Sequence, residues 1–319
     1  MSDREFKVAP RMRVIVDNDF SGDPDDLFQM AHHLLSPSVE IRGIIGSHLR
    51  AGDSWDKTGR SAEDAVARAK ELLGVMGMED SVPVYQGAPT ALVRPREPLA
   101  SEAVRTIIAE AMRDDSELPL YVVCGAGLTD LASALMIEPA IARRMTLVWI
   151  GGNEYPELAL PPPDVEGPEY NLNIDVPAAQ YVFGETEIPI WQVPRNVYRQ
   201  AAVSYAELEE SVLPCGELGR FLVAAIAEVP GRFPSPALKL GEVYILGDSP
   251  LVLFTALQSS FHPDPASSDY VLHRRLSIRD DGSYGKPVGR GEIRVYTKID
   301  TRLLFGDLFA KLRRFAARG

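Results

Sequence analysis

Short apolar runs alternate with longer amphipathic segments along the first two thirds of the chain. Each run has the length of a buried strand, and the segments between the runs carry apolar residues at helical spacing. The six runs are RVIV (13–16), VEIRGII (39–45), PVY (83–85), LYVVC (120–124), MTLVWI (145–150) and IPIWQV (188–193). This alternation predicts an α/β fold, in which helices flank a mostly parallel, open sheet.

The segments between the runs predict helices. Apolar residues repeat about every 3.6 positions in residues 27–35, 61–73 and 101–112. Farther on, residues 268–300 hold two strand-like runs around a Gly-containing turn, and residues 301–315 have the pattern of an amphipathic helix with a basic end. We therefore expect a small antiparallel C-terminal appendage and a closing helix.

Length and composition favour one compact domain. The chain has 319 residues, and large α/β domains reach this size without splitting. Hydrophobic residues make up 45% of it, which is enough for a sizeable core, and no repeat or low-complexity tract is visible. We expect residues 1–319 to form a single α/β domain.

Charge and cysteine content exclude several kinds of partner. The net charge is −12 and the pI is near 5.0, which disfavours nucleic acid because a phosphate backbone requires a basic patch. No apolar stretch approaches the roughly 20 residues of a membrane span, and the N-terminus lacks the apolar core of a signal peptide. Cys124 and Cys215 are too few for a disulfide framework or a Cys-based metal site. We expect a cytoplasmic protein that acts on a small molecule.

Two proline-rich stretches are candidate lids. Residues 154–170 and 228–239 are too long and too irregular to be tight connections. Loops of this length in α/β domains often border the ligand site, and in open α/β sheets that site lies at the carboxyl ends of the strands.

The first strand ends in a concentration of carboxylates. VIVDNDFSGDPDD holds five aspartates within ten residues, and like charges at this density repel unless a cation, a proton or a helix start compensates them. Asp23 and Pro24 suit the start of a helix, with Asp25 and Asp26 in its first turn. The start of a helix does not account for the aspartates at the end of the strand. A hard divalent cation, Ca²⁺ or Mg²⁺, is therefore expected here.

Two enzyme families place aspartates in this way. One is the haloacid dehalogenase-like phosphatases, which the run VIVDND resembles. That resemblance would make Asp17 the nucleophile, Asp19 the acid/base, Ser47 the phosphate-binding hydroxyl, Lys239 the charge-balancing cation and Asp248 a Mg²⁺ ligand. The helix-opening DPDD has no role in that family, so the match covers only part of the motif.

More of the chain resembles the nucleoside hydrolases, whose N-terminal strand is followed by Asp-x-Asp-Pro-Gly-x-Asp-Asp. DNDFSGDPDD is similar to that motif with two extra residues, which lengthen the loop and add Asp23. Further blocks follow in the family's order: VPVYQGAP (82–89), VVCGAGLTDLASAL (122–135) with Asp130 in place of Asn, the glycine pair 151–152, PEYNLNIDVPAAQYVF (168–183) and ILGDSPLVLFTAL (245–257). Several blocks in one order are more specific than any single motif. They imply the family's α/β fold with a Rossmann-like core.

The resemblance to nucleoside hydrolases implies hydrolysis of the N-glycosidic bond of a ribonucleoside, assisted by Ca²⁺. Matched position by position, the Ca²⁺ ligands are Asp19, Asp26, Asp248 and the backbone carbonyl of Gly125. Asp25 matches the aspartate that deprotonates the attacking water, and Asp17 has a supporting role behind the ligands. Ca²⁺ suits this set better than Mg²⁺ because it tolerates about seven or eight oxygen ligands in flexible geometry.

The same resemblance assigns the sugar-binding residues. Glu169 and Asn171 match the groups that hydrogen-bond the ribose. A further asparagine of the family is Pro163 here, so Asn153 is the candidate to replace it, and His48 at the end of the second strand is a candidate binder or general acid. Other large aromatic residues are expected to pack in the core or in loops rather than to stack on a base: Trp55, Tyr155, Trp191, Tyr198 and Phe233.

One departure from the family bears on catalysis. Many nucleoside hydrolases have a histidine just before the last metal-binding aspartate, where it helps the base to leave, whereas this chain has Gly247. We expect a Ca²⁺-dependent ribonucleoside hydrolase of purine or pyrimidine salvage that forms a homo-oligomer, either a dimer or a tetramer. The alternatives are the Mg²⁺-dependent phosphatase and a catalytically silent relative that binds metal and sugar.

Overall fold

The central sheet forms from the predicted apolar runs. The computed structural model describes residues 6–94, 96–163, 165–233, 239–261 and 267–318. Its strands are β1 Met12–Asn18, β2 Val39–Gly46, β3 Val84–Gln86, β4 Leu120–Gly125, β5 Met145–Ile150, β6 Ile190–Val193, β7 Ala202–Ser204, β8 Val243–Ile245, β9 Asp269–Ile278 and β10 Tyr284–Lys298. The first six overlap the six apolar runs, so the strand pattern of this region is confirmed.

Helices occupy most of the segments between the strands. They are α1 Asp25–Leu34, α2 Ser61–Val75, α3 Glu102–Ala111, α4 Thr129–Ile137, α5 Tyr170–Ile174, α6 Val176–Glu185, α7 Arg195–Tyr198, α8 Tyr205–Ser211, α9 Gly216–Ala227, α10 Val229–Arg232, α11 Pro250–Thr255 and α12 Thr301–Ala316, with a 3-10 turn at Pro139–Arg143. α3 begins after Ser101, whose hydroxyl oxygen accepts a hydrogen bond from the backbone N–H of Val104. The helices predicted from apolar periodicity, including the C-terminal one, are all present.

The main sheet has eight strands in the order β3-β2-β1-β4-β5-β6-β10-β9. Neighbouring strands from β3 to β10 pair in parallel, and the edge strand β9 runs antiparallel to β10. β7 and β8 form a separate antiparallel ribbon. The predicted α/β class with a mostly parallel sheet is therefore confirmed.

The strand β1 is buried on both faces of the sheet. Val14 and Val16 belong to one core together with residues of α1, α2, α9 and α12, whereas Ile15 belongs to a second core with residues of α3, α4 and α6. Successive side chains of a strand point to opposite faces, so a strand buried on both sides is apolar throughout. This double burial fixes the position of the carboxyl end of β1.

The C-terminal hairpin extends the main sheet. β10 pairs in parallel with β6 through Arg294 and Val295, and β9 pairs antiparallel with β10. Tyr284, at the start of β10, donates a hydrogen bond from its hydroxyl to the carbonyl oxygen of Asn153 at 3.0 Å. The predicted antiparallel strands are therefore present, and they are continuous with the parallel sheet.

The strand order reverses around β1. β2 lies on one side of β1 and β4 on the other. In open α/β sheets this reversal opens a crevice at the carboxyl ends of the strands, and ligands bind there. The aspartate-rich loop after β1 and Gly125 at the end of β4 both stand at this crevice.

The first proline-rich stretch follows β5, and the second follows α9. Glu154 anchors the first, since its carboxylate forms a bidentate pair with Arg195 at 2.7 and 2.6 Å. In the second stretch α10 leads to Phe233, and residues 234–238 lie outside the described residues, so the lid predicted there stays a prediction.

Within the described part of the chain, no helix combines the length and apolarity that a membrane span requires.

Gly46 allows α2 to lie against the end of β2, and we predict that Gly46→Ala destabilises the protein. A β-carbon at this position would lie 2.6 Å from the backbone nitrogen of Val66 in α2 and 2.9 Å from its Cγ2. Because backbone cannot move aside without shifting the helix, the free energy of urea unfolding should fall by about 1–3 kcal/mol. Gly74→Ala in the same helix is the control, since the nearest atom would lie 3.9 Å away. Equal unfolding free energies for the two variants would contradict the prediction.

Candidate active site

A cavity of about 240 Å³ opens at the carboxyl ends of β1 and β4. Its lining consists of Asp19, Asp23, Asp25, Asp26, Gly125, Ile150, Glu169, Tyr170, Asn171, Tyr198, Ile245, Gly247 and Asp248. The residues predicted for metal binding, catalysis and sugar binding are among them, except for Asp17, His48 and Asn153. The fold thus gathers at one place side chains that are far apart in the sequence.

Three carboxylates meet in this cavity. One oxygen atom from each of Asp25, Asp26 and Asp248 lies within 4.8 Å of the other two, which is a spacing that a divalent cation can bridge. Asp25 and Asp26 form the first turn of α1, and Asp248 comes from the loop before α11. These three residues could hold a metal ion. Two of them, Asp26 and Asp248, belong to the predicted ligand set, whereas Asp25 was predicted to act on the attacking water.

Asp19 stands beside this cluster, directly after β1 ends. Its side chain hydrogen-bonds that of Asp26, and the charge of Asp248 acts on it. The backbone N–H of Gly22 donates to the carbonyl oxygen of Asp19 at 2.7 Å, which closes a tight turn. The lengthened loop therefore keeps Asp19 next to Asp26.

Burial and mutual repulsion make these carboxylates resist ionisation. Burial is the main cause that raises the pKa values of Asp19, Asp25 and Asp26, and charges of neighbouring aspartates add to it. Burial also raises the pKa of Asp248 to about 7. Oδ2 of Asp19 and Oδ2 of Asp26 are buried and have no hydrogen-bond partner among the described residues. Unpartnered carboxylate oxygens with charges of one sign are the donor set that a hard cation takes.

Asn18, which was not among the predicted site residues, joins two of the carboxylates. Its side-chain nitrogen donates to Oδ1 of Asp26 at 2.5 Å and to Oδ2 of Asp248 at 2.7 Å. Its side-chain oxygen accepts from the backbone N–H of Gly125 at 3.2 Å. Strand alternation was the available signal, because Asn18 must face away from Asp17 and therefore towards the other side of the sheet. An amide supplies these donors without adding charge.

Gly125 has no room for a side chain. A β-carbon at this position would overlap the carboxylate of Asp248. Only glycine therefore allows the end of β4 to pass so close to a carboxylate of the site. The backbone of Gly125 lies against Asp248, with which it was predicted to share a cation.

Asp25 is fixed by two backbone groups. Its Oδ2 accepts from the N–H of Asp248 at 3.0 Å, and its Oδ1 accepts from the N–H of Asp26 at 3.1 Å. Asp23 stands just before the helix, and its Oδ1 accepts from the N–H of Asp25 at 3.3 Å and from the hydroxyl of Tyr244 at 2.8 Å. The start of α1 and the loop before α11 therefore hold the Asp25 carboxylate between them.

Glu169 and Asn171 line another part of the cavity. Oε2 of Glu169 accepts from the N–H groups of Gly152 and Leu172 at 2.8 and 3.0 Å, and Oε1 accepts from the hydroxyl of Tyr198 at 2.9 Å. Burial raises the pKa of Glu169. The side-chain nitrogen of Asn171 donates to the carbonyl oxygen at the end of β5 at 2.9 Å. Both side chains are thus oriented before any ligand arrives.

Two residues predicted to bind substrate do not line the cavity. Asn153 accepts from the N–H of Glu169 at 2.7 Å and donates to the carbonyl oxygen of Gly282 at 3.0 Å, so it links Glu169 to the C-terminal hairpin. His48 is buried, and its ring nitrogens bond the carbonyl oxygen of the next residue at 2.9 Å and the hydroxyl of Thr129 at 3.0 Å. The structure brings neither side chain to the cavity.

Asp17 lies behind the cavity in a second buried polar group. The hydroxyl of Ser47 donates to its Oδ1, and burial, together with the charge of Asp130, raises its pKa. Asp130 accepts from the N–H of Ala88 at 3.0 Å and from the hydroxyl of Ser101 at 2.6 Å. Asp17 therefore contacts the neighbouring strand and does not reach the cavity.

Tyr198 lines the cavity, although it was expected to pack in the core or in a loop. It is the last residue of α7, which follows β6 at the same edge of the sheet as the aspartates. Its position shortly after a strand end was the available signal. Tyr170, the other aromatic residue of the lining, has its hydroxyl bonded to Asp53. The remaining aromatic residues pack in pairs: Trp55 with Phe233 at 4.5 Å between ring centroids, Tyr155 with Tyr284 at 4.3 Å and Trp191 with Tyr121 at 5.3 Å.

Solved structures of nucleoside hydrolases share this fold at low sequence identity. The purine-preferring ribonucleoside hydrolase from Gardnerella vaginalis matches with a TM-score of 0.73 and 19% identity, over 96% of this chain and 100% of that one. A plant nucleoside hydrolase matches with a TM-score of 0.70 and 19% identity, over 95% of this chain and 99% of that one. The inosine-uridine preferring nucleoside hydrolase from Bacillus anthracis matches with a TM-score of 0.63 and 16% identity, over 97% of this chain and 100% of that one.

The sequence pattern of one protein family spans most of the chain. The family is described as inosine-uridine preferring nucleoside hydrolase, and its pattern matches residues 14–262. A search of curated proteins finds no match. The matched segment contains every residue of the cavity lining, from Asp19 to Asp248. The chain therefore belongs to the inosine-uridine preferring nucleoside hydrolase family and is an N-glycosidase that acts on nucleosides.

Proposed function

We propose that the protein hydrolyses ribonucleosides to free base and ribose with the help of Ca²⁺. The observation that carries the proposal is that Asp25, Asp26 and Asp248 meet in one cavity with Glu169 and Asn171. The three aspartates suit a cation and a water molecule, whereas the glutamate and the asparagine suit sugar hydroxyls. Activation of the water and binding of the sugar are thus assigned to different side chains.

The carboxylates fit a Ca²⁺ ion. Asp19, Asp26 and Asp248 would hold it together with the carbonyl oxygen of Gly125, and two of these carboxylates keep a buried oxygen without a partner among the described residues. Ca²⁺ accepts about six to eight carboxylate, carbonyl, hydroxyl and water oxygens in flexible geometry. The chemistry that a bound ion supplies is polarisation of a water molecule and orientation of the sugar.

In this proposal Asp25 accepts a proton from the attacking water. Its raised pKa makes it a stronger base than an exposed aspartate, and two backbone N–H groups fix its carboxylate. As Asp25 takes the proton, the hydroxide bonds C1′ of the sugar. The bond from C1′ to the base nitrogen breaks, and its electron pair leaves with the base.

The cavity also suits the charge that develops on the sugar. Departure of the base gives the sugar an oxocarbenium-like character, and buried carboxylates stabilise positive charge strongly because little solvent screens them. Glu169 uses one lone pair of Oε1 on Tyr198, which leaves a second lone pair for a sugar hydroxyl. Asn171, in the same lining, retains its side-chain oxygen as an acceptor.

The phosphatase alternative finds no support in the cavity. Its nucleophile would be Asp17, which is fully buried behind the lining and bonded to Ser47, whereas a nucleophile must reach its substrate. The catalytically silent relative differs from the proposal only in turnover, and an assay of nucleoside hydrolysis distinguishes the two. The cytoplasmic location, the role in salvage and the homo-oligomeric state stay predictions of the sequence.

With Ca²⁺ the purified protein should release ribose from inosine or uridine, and Asp25→Asn should slow this release by about 10²–10⁴-fold. The amide cannot take the proton of the water, and general-base catalysis contributes a factor of this order. Reducing-sugar release and chromatography of the free base measure the rate. Asp80→Asn, at an exposed position, is the control and should match the wild type. Calorimetric Ca²⁺ binding without turnover would favour the silent relative, and phosphate release that Asp17→Asn abolishes would favour the phosphatase.

Asp248→Asn should stabilise the cation-free protein, and increasingly so as the pH rises. Folding raises the pKa of Asp248 from 3.8 to about 7, so the folded state holds this proton more tightly than the unfolded chain. Its favourable contribution is complete below pH 3.8 and is lost as the pH rises through about 7. Because asparagine does not ionise, the difference in unfolding free energy between variant and wild type in EDTA should grow from about pH 4 to about pH 8.

Added Ca²⁺ should reverse this order at the upper end of the pH range. The ion stabilises the wild type by binding to its folded state, whereas the variant lacks one carboxylate ligand. Asp80→Asn should keep the pH dependence of the wild type in both buffers. A difference between Asp248→Asn and wild type that does not change with pH would show that folding does not raise the pKa of this carboxyl.

A further inference from the structure

The departing base leaves with an electron pair, and the residue before Asp248, in the loop before α11, has no side chain to stabilise it. The residue before Asp248 is Gly247. Among the described residues of the lining, the side-chain donors are Tyr170, Asn171 and Tyr198. Tyr170 is 39% exposed and bonds Asp53, and Asn171 already donates to the end of β5. Tyr198 is the third donor, and the role inferred for it rests on the proposed function.

Tyr198 occupies the space beside Gly247. A β-carbon at position 247 would lie 3.2 Å from Cδ2 of Tyr198 and 3.2 Å from Oδ2 of Asp25. A side chain there would require the tyrosine ring and the Asp25 carboxylate to move by about a few tenths of an ångström. Glycine at 247 and tyrosine at 198 are therefore complementary, since the ring fills the space that residue 247 leaves open.

The ring of Tyr198 is held in a defined orientation. Its backbone N–H donates to the carbonyl oxygen of Pro194 at 3.1 Å. Arg195, in the same short helix, forms the bidentate pair with Glu154, and such pairs fix geometry as well as adding energy. The hydroxyl donates to Oε1 of Glu169 at 2.9 Å. Tyr198 is thus a positioned group that touches both the sugar side of the cavity and the neighbourhood of Asp25.

We propose that Tyr198 donates a hydrogen bond from its hydroxyl to the departing base, which is a contact that residue 247 cannot make in this chain. Oε2 of Glu169 already accepts two backbone N–H groups, so a sugar hydroxyl that bonds Glu169 does so at Oε1. A second hydrogen bond at Oε1 makes this oxygen a weaker acceptor for Tyr198, and the phenol hydrogen turns to the base, whose negative charge grows as it departs.

Tyr198 acts as a donor that keeps its own proton. Burial, and after it the charge of Glu169, raises the pKa of the hydroxyl well above its ordinary value, so it is protonated at neutral pH. The proton balance closes through Asp25. This residue takes a proton from water, the hydroxide bonds C1′, the base departs with the electron pair of the broken bond, and the proton on Asp25 is passed to the base.

The dependence of the rate on the leaving group tests this role. Uridine or inosine needs its base stabilised as it departs, whereas p-nitrophenyl β-D-ribofuranoside releases an anion that is stable without help. Tyr198→Phe keeps the ring and removes the hydroxyl. It should lower kcat for the nucleoside by about 10–100-fold, the factor expected for one hydrogen bond to a charged group, and kcat for the nitrophenyl riboside by less than about threefold.

A second variant tests whether positions 198 and 247 exclude one another. Tyr198→Ala combined with Gly247→His should hydrolyse the nucleoside at least about 10-fold faster than Tyr198→Ala alone, since the imidazole then has room to donate to the base. No recovery would overturn the proposed relation between the two positions. Thermal unfolding and Ca²⁺ titration of each variant show that its fold and metal site are intact.

The outcomes separate this inference from the function on which it rests. An active wild type whose Tyr198→Phe variant loses the same factor on both substrates, or loses nothing on the nucleoside, would overturn the role of Tyr198 alone. A wild type that hydrolyses neither substrate in the presence of Ca²⁺ would overturn the proposed function, and the inference with it.

Discussion

Repulsion among buried carboxylates is the constraint on which the structure around the cavity depends. Asp19, Asp25, Asp26 and Asp248 share one small volume, and burial raises the pKa of each. The protein offsets the cost with neutral donors, namely the amide of Asn18 and backbone N–H groups, and no lysine or arginine is found among the described residues of the lining. A basic side chain would cancel the charge permanently. Neutral donors orient the carboxylates and leave their charge available for the proposed cation and for the sugar in the proposed reaction.

Glycines let the acidic groups come so close together. Gly125 passes where a side chain would overlap Asp248, and Gly247 leaves space that the ring of Tyr198 fills. The parallel sheet holds the backbone in the position that this close approach requires. β1 is buried on both faces, and this burial fixes the position of its carboxyl end. The geometry of the site is therefore set by backbone positions, and its chemistry by a few side chains fixed onto them.

Local patterns in the sequence located the sheet, the first helix and the acidic loop, because apolar periodicity and a run of aspartates are visible within a few residues. Asn18 was missed because an amide acquires its role only when Asp248 arrives from 230 positions away. Tyr198 was taken for a packing residue for the same reason, since Glu169 and Gly247 meet it only in the folded chain. His48 was assigned to the substrate from its place at a strand end, which gives the edge of the sheet but not the direction of the side chain.

The hairpin β9–β10 follows the segment that carries the family pattern, which ends at residue 262. It nevertheless reaches the cavity wall, because Gly282 accepts a hydrogen bond from Asn153, and Asn153 in turn accepts one from the backbone of Glu169. Tyr284 adds a bond to the carbonyl oxygen of Asn153. None of the described residues of this hairpin lines the cavity. Selection on the proposed sugar recognition can nevertheless act through the sequence of the hairpin, and comparisons confined to the lining would miss this source of divergence among relatives.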